Sequence, residues 1–333
     1  MSTSRSFKDA IDFKEIKSQR NSLNTRIEVK RERIQRCPED REEVEKAIAE
    51  VQAQIPALDA ILAKEPPPPE LPPRKPLIKV SGVLEEFETL CVRGYFSDRE
   101  YDPAAFARKE ERDQFGALLL AMAGNSAGAA VTSQTQVRLG DICDFVRGKI
   151  NGIPFHGWLG FTSAKVGDYV ELAVTEQAGY YVVYAIANPE LRVISMTPRC
   201  KQGIHANAKY QIRGTWYGSS VIWVMYMLVG VFFIRKDIFE YIKYASLFCI
   251  FMAVVFSPFI YISCMKNPKP SFRLAEAIFT ALGFPDPTEV NLERLTKKRL
   301  KEIKANPPDR ESSKDSGIVL PDKYYFVSHY YYY

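Results

Sequence analysis

The chain offers little from which an active site could be built. Its three histidines, His156, His205 and His329, stand far apart. No HExxH, CxxC or comparable ligand spacing occurs, so neither a metal centre nor a cofactor is expected. A GxSxG elbow, a P-loop and a Gly-rich dinucleotide turn are missing too. The six cysteines, Cys37, Cys91, Cys143, Cys200, Cys249 and Cys264, include no close pair, and two lie in apolar runs. They read as reduced, unpaired thiols. Cys200 sits between Arg199 and Lys201, neighbours that would lower its pKa, with His205 the one nearby base. Asp141, Asp144 and Asp168 are scattered through a β-rich region, where single acids usually serve turns or the surface. Catalysis is not expected.

Two other features are in short supply. Net charge is only +5, from 45 Lys and Arg against 40 Asp and Glu, too mixed a balance for a nucleic-acid binder. The first twenty residues lack the short apolar core of a secretory signal. Export, if it happens, would need a specialised machine.

What is present falls into blocks. Residues 1–65 predict two helices joined at Cys37-Pro38-Glu39-Asp40, a helix-start signal. Phe13, Ile16, Leu23, Ile27 and Ile34 form one three-four stripe, with Arg20 and Lys30 taking two of its positions. Val44, Ile48, Val51, Ile55, Leu58 and Leu62 form the other, with Pro56 as a predicted kink. Residues 1–37 carry ten basic and five acidic side chains; residues 38–65 carry three and eight. Opposite charge favours an antiparallel helical hairpin. Such a coiled coil is either self-contained or exposed to grip a partner. "PPPPELPPRKP", residues 66–76, has seven prolines in eleven positions and predicts a stiff polyproline II linker.

Residues 77–198 predict a small β-barrel or sandwich, OB-like in character. "PLIKVSGVLEEF", "ETLCVRGYF", "VGDYVELAVTE", "GYYVVYAIANP" and "ELRVISMTP" are the candidate strands. Gln177-Ala178-Gly179 suits a hairpin turn. An uncharged stretch, residues 115–137, interrupts this block and contains Gly124 and Gly128 at the GxxxG spacing of close helix packing. Its polar second half favours a helical insertion packed on the β-domain over a membrane span.

The dominant feature is a pair of long apolar runs. Gly214–Ile234 is 21 residues without a charge, about 32 Å as a helix, and Tyr244–Met265 is 22 more. Trp216, Tyr217, Tyr241, Tyr244 and Tyr261 stand near the ends, as interfacial aromatics do. These predict a transmembrane hairpin over 214–265, spans 214–234 and 244–265. Lys201, Lys209, Arg213, Lys266, Lys269 and Arg273 flank its open end; Arg235, Lys236 and Lys243 occupy the turn. The positive-inside rule then puts both termini in the cytoplasm. The spans contain no ionisable acid, base or histidine, and one hairpin encloses no lumen. Conduction would require a homo-oligomer, with Ser219, Ser220 and Tyr226 as candidate lining; helix packing or back-bonding to carbonyls is the plainer role for the serines.

After the spans, a helix is predicted over 271–282, capped by Gly283. Asp286-Pro287-Thr288-Glu289 predicts the start of another, bearing Arg294, Lys297, Lys298, Arg299, Lys301 and Lys304. That basic face suits either solvent or anionic lipid. Residues 306–333 predict a disordered, Tyr-rich tail, whose tyrosines could also serve as an edge strand, an interfacial anchor or a recognition tag.

"NPELRVISMTPRCKQGIHANAKYQIRGTWYG", residues 188–218, resembles a bacterial family of membrane proteins identified as type VI secretion system effectors. The matching residues are Pro189, Arg192, Pro198, Arg199, Cys200 and Gly203, just before the first span. Gln202 stands where that family has arginine. "ALGFPDPTEVNLERLTKK" and "VGDYVELAVTE" are similar to the family as well, so the resemblance covers about residues 78–300. It implies an antibacterial toxin at the inner membrane, delivered without a signal peptide, with secretion and immunity proteins as partners. It brings no active site. The whole is expected to be an α+β membrane protein: N-terminal helical hairpin, small β-barrel or sandwich, transmembrane hairpin and C-terminal helices over 266–305. A resident inner-membrane scaffold or sensor, with coiled coil and β-domain binding partners, is the alternative.

Overall fold

The computed structural model describes residues 10–36, 39, 41–122, 140–233, 238–305, 319–322 and 328–333. It is a mixed α/β protein with eight α-helices among the described residues and a closed five-stranded β-barrel.

The barrel strands are β1 (Ile78–Gly94), β2 (Asp141–Ile150), β3 (Ile153–Leu159), β4 (Tyr169–Glu176) and β5 (Tyr181–Asn188). β1 pairs antiparallel with both β2 and β4, β2 with β3, and β4 with β5. A parallel β3–β5 pairing closes the circle, so the strands run 1-2-3-5-4 around it. Inside lie Leu84, Val146, Ile150, Phe155, Leu159, Leu172 and Val183. Alternate residues along each strand take this face because side chains in a strand repeat every two residues.

Two expectations change here. The stretches read as separate strands over "PLIKVSGVLEEF" and "ETLCVRGYF" are one strand, β1. The pairing shifts between Leu84 and Glu86, and this irregularity bends β1 so that its two halves serve two neighbours. β2 and β3 were not among the candidate strands. Their turn is Asn151-Gly152, both residues at positive φ (52° and 77°), the Asn-Gly signal for a two-residue hairpin. Gly179, at φ 89°, makes the β4–β5 turn as expected.

Strand β5 is buried on both faces, because its outer side is also covered. On the neighbouring β1 and β4 the outer side is covered by α7 (Pro270–Leu282), whose Phe272, Leu274, Ala275, Ile278, Phe279 and Leu282 are buried. Burying each large side chain contributes about 1.5–3 kcal/mol. α7 ends on Gly283 in the left-handed conformation, as the sequence predicts.

Outside the barrel, β6 (Val193–Met196) adds to β5, and β7 (Tyr330–Tyr332) adds to β6. The end of the chain, expected to be disordered, is thus an edge strand with Tyr330, Tyr331 and Tyr332 buried. Tyr330 and Tyr332 fill a site lined by Phe161, Leu191, Leu300 and Ile303, while Tyr331 points the other way into the main core, which composition alone does not reveal.

Helices α1 (Phe13–Arg36) and α2 (Arg41–Leu62) pair antiparallel. Leu23, Ile27, Val44, Ile48 and Val51 form their own small core. Arg20 meets Asp59 at 2.9 Å and Lys17 meets Glu65 at 2.7 Å, across the charge division that the sequence showed. Pro56 lies within α2. Ile11 bridges Val92 of β1, which fixes one foot of the hairpin to the barrel. Residues 66–76 do not stand clear as a spacer. They lie on the barrel, where the Trp158 indole donates to the Pro67 carbonyl (2.9 Å) and the Tyr184 hydroxyl to that of Glu70 (2.9 Å).

Two helices, α3 (Asp98–Tyr101) and α4 (Pro103–Met122), fill part of the β1–β2 connection, while Gly124 and Gly128 lie outside the described residues. α5 (Ile204–Phe233) and α6 (Ile238–Lys266) follow β6. Among the described residues one stretch, Phe239–Lys266, is long and apolar enough to cross a membrane by length and composition. Its mean hydropathy is 2.3, and 11% of its apolar window is buried. A 3₁₀ turn (Pro287–Glu289) and α8 (Leu292–Ala305) come after α7. The start signal at Asp286 therefore makes only that turn. Asp286 is at φ 48° without a side-chain cap, and α8 begins later, with the Asn291 carboxamide accepting from the Arg294 N–H.

Candidate functional site

The residues that the sequence singled out around Cys200 form the joint between barrel and apolar helices. The β5–β6 turn is held by Asn188, whose side chain accepts from the Leu191 N–H (3.0 Å), and Arg192 takes a positive φ of 53°. After β6 the chain folds back because Thr197 donates both its N–H and its hydroxyl to the Tyr184 carbonyl (2.9 and 2.8 Å). Pro198 and Arg199 make the bend, Arg199 at φ 68°. Its guanidinium is fixed by Asp141 of β2 (2.9 Å), and its N–H donates to His329 Nδ1 (3.3 Å). One turn therefore ties together the barrel, the tail strand and the start of α5.

Cys200 lies beneath this turn, fully buried, 3.4 Å from the Tyr101 hydroxyl, which itself donates to the Pro198 carbonyl. Burial pushes the thiol up to about 12, the reverse of what its basic neighbours suggest. Arg199 is directed to Asp141 and Lys201 to Glu293, so neither charge is spent on the sulfur. His205 instead faces Glu289 (3.5 Å) and the Tyr261 ring. No Cys–His pair exists here. Iodoacetamide at pH 8 is expected to leave Cys200 unmodified in the folded protein and to label it fully after denaturation, by peptide mass spectrometry. Labelling at equal rates in both states would refute the burial.

The two sequence motifs that flank the apolar runs meet at Gly203. Its N–H donates to the Val290 carbonyl (2.9 Å), and the Leu292 N–H to that of Lys201 (3.0 Å). Between them, Gln202 accepts from Asn291 (2.8 Å) and donates to Asn207 (3.1 Å). Gln202 is buried, and the carboxamide satisfies this pair of neutral partners without the desolvation cost of the arginine expected there. Glu289 binds Lys209 (2.7 Å), and Glu276 accepts from the Ile204 N–H (2.7 Å) at the positive end of α5. A Cβ on Gly203 would run into the carbonyl oxygens of Pro287 and Thr288. Gly203→Ala is accordingly expected to destabilise the joint by about 1–3 kcal/mol, read as a lower thermal midpoint. An unchanged midpoint would contradict this packing.

Beyond the joint, α5 and α6 run antiparallel. The Trp223 indole donates to the Ser246 hydroxyl (2.8 Å), and the Tyr241 hydroxyl to the Tyr226 carbonyl (3.1 Å). Ser246, Cys249 and Ala253 recur at three-four spacing along one side of α6, the last two buried, and Gly230 admits the Tyr241 ring. Small residues here let the helices approach closely. The Ser220 hydroxyl bonds back to the Trp216 carbonyl of its own helix (2.9 Å). Ser219 is half-buried and Tyr226 is exposed. The outer sides are bare: Val224, Met225, Leu228, Phe248, Phe251, Val254 and Phe259 are all exposed.

Sequence reasoning missed Asp141, Glu276, Asn291 and His329 as parts of this joint. Only Asn291 carried a local signal, a capping residue directly before the Leu292–Ala305 periodicity. The others reach the joint from distant elements. Among the described residues no three His, Cys, Asp or Glu side chains converge as metal ligands. Comparison with protein-family models, with curated proteins and with solved structures finds no match to this chain.

Proposed function

We propose that the chain is a non-enzymatic effector that inserts α5 and α6 into a bacterial inner membrane and acts there as an oligomer. One observation carries the insertion: two paired helices whose outer faces are apolar and uncovered for most of their length. A soluble protein seldom leaves so large an apolar surface in water. Exposed Trp216 and Tyr217 at one end and Tyr244 at the other suit the two headgroup levels. The hairpin crosses the bilayer twice, with the barrel and both termini in the cytoplasm. The barrel is OB-like in its strand order, with β1 shared between β2 and β4, and serves as the rigid base. The effector role rests on the resemblance of residues 188–218 and 281–298 to the secreted family. Oligomerisation follows because two helices alone enclose no pore.

Expression in a bacterium, retained in the cytosol or directed to the periplasm, tests this. Growth arrest and loss of membrane potential from at least one side are expected, abolished by deleting residues 214–265. Harmless expression from both sides, with the protein still in the membrane fraction, would replace the effector by a resident scaffold or sensor.

A further inference from the structure

The proline-rich segment and the barrel surface beneath it form a receptor–ligand pair within one chain. The surface lies on the outside of the β3–β5 seam. Phe155, Leu159 and Val183 point into the barrel, so the alternate residues His156, Trp158, Val182 and Tyr184 point out. Gly157 pairs with Val183, which brings Trp158 and Tyr184 side by side on neighbouring strands. Trp158 is held edge-on by Phe96 and Phe145, with centroids 6.0 and 5.6 Å away. His156 stacks on Tyr180 at 5.2 Å, and burial lowers its pKa. This is a preformed aromatic platform with two outward donors.

Its occupant is a proline run that turns at Glu70, where the Leu71 N–H donates to the Pro69 carbonyl (3.1 Å). The two carbonyls taken by the platform are those of Pro67 and Glu70, three residues apart. Pro66 is buried, Pro69 and Leu71 are half-buried, and Pro67 and Pro68 remain exposed on the far side. The Glu70 carboxylate, 3.9 Å from His156, is the one contact that depends on a non-proline side chain of the 66–70 run. The hydrogen bonds go to main-chain carbonyls, which every proline-rich segment presents.

We propose that the outer β3–β5 face is a binding site for proline-rich segments, filled in cis by residues 66–70, which a proline-rich segment of a partner protein occupies in exchange. The exchange frees the foot of the helical hairpin at Leu62, since residues 66–72 connect that hairpin to the barrel. Tethering gives the cis segment an effective concentration of about millimolar, so a micromolar competitor does not displace it from the unaltered chain.

The test uses the full chain in detergent micelles and a fluorescein-labelled peptide of residues 64–76, followed by anisotropy. Pro67→Gly, Pro68→Ser and Pro69→Gly together should open the site and tighten peptide binding at least tenfold over the unaltered chain. Adding Trp158→Phe, which keeps a ring and removes the donor, should weaken that binding about five- to tenfold, the worth of one hydrogen bond. Equal binding with and without the donor would overturn the proposal. So would absence of binding to an opened chain with unchanged thermal unfolding. A second measurement avoids the substitutions. Unlabelled peptide at several millimolar should speed hydrogen exchange of the Leu71 amide, bonded to the Pro69 carbonyl in the docked segment, in the unaltered chain, and unchanged exchange would refute displacement.

Discussion

Lysine at both Val224 and Val254 is expected to remove the protein from lipid vesicles in a flotation assay. Both positions are exposed and lie close to the middle of the two apolar runs. On insertion scales a central lysine costs about 2.5–3.5 kcal/mol. One substitution thus lowers the insertion equilibrium constant roughly a hundredfold, and two lower it roughly ten-thousandfold. The unaltered chain should float with the vesicles and resist carbonate extraction. Val83→Lys supplies the control, since Val83 is equally exposed but belongs to the barrel; it should float normally. Retention of the doubly charged variant with the vesicles would show that α5 and α6 are not what holds the protein to lipid.

Acid is expected to release the tail strand before the barrel unfolds. His329 is buried, and burial, with Lys201 and Arg199 nearby, lowers its pKa to about 3. Its Nδ1 accepts from the Arg199 N–H, so Nε2 carries the proton and, among the described residues, has no acceptor in its buried position. The unfolded or detached tail has an ordinary histidine near 6.5. Between about pH 6.5 and 3 the detached state therefore binds more protons, and stability falls as pH falls. Above pH 6.5 the attachment is at full strength; at pH 5 it has lost about 2 kcal/mol, and near pH 3 about 4–5 kcal/mol. Hydrogen exchange at Tyr330–Tyr332 should accelerate over this range while the amides of β4 stay protected. His329→Asn should remove the dependence. Asparagine tolerates the positive φ of 53° at this position and offers an acceptor in place of Nδ1. Unchanged exchange of the wild-type tail from pH 7 to 5 would contradict the buried neutral histidine.

Both results bear on the same joint. Arg199 receives His329 from the tail and Asp141 from the barrel, and Gly203 receives the Pro287–Val290 segment. The ends of the apolar pair are thus fastened on two sides. A displacement of α5 against the barrel would pass through this turn, and detachment of β7 would remove one of its fastenings.

The sequence by itself determined the elements that follow a period. The stripes of α1 and α2, the charge division between them, the apolar runs of α5 and α6 and the Gly283 cap are local patterns, and local patterns follow from backbone geometry. It also marked Pro198, Arg199, Cys200 and Gly203 as one group. It did not reveal that β1 is a single bent strand, because a bulge is defined by its two partners. The tail gave no decision between strand and disorder, because Tyr330–Tyr332 become a strand only when an open edge such as β6 and the side of α8 lie next to them. Cys200 shows the difference most sharply. Neighbouring charges in the sequence favour a reactive thiolate, whereas the tertiary structure turns those charges toward Asp141 and Glu293 and buries the sulfur, and desolvation outweighs charges that point elsewhere.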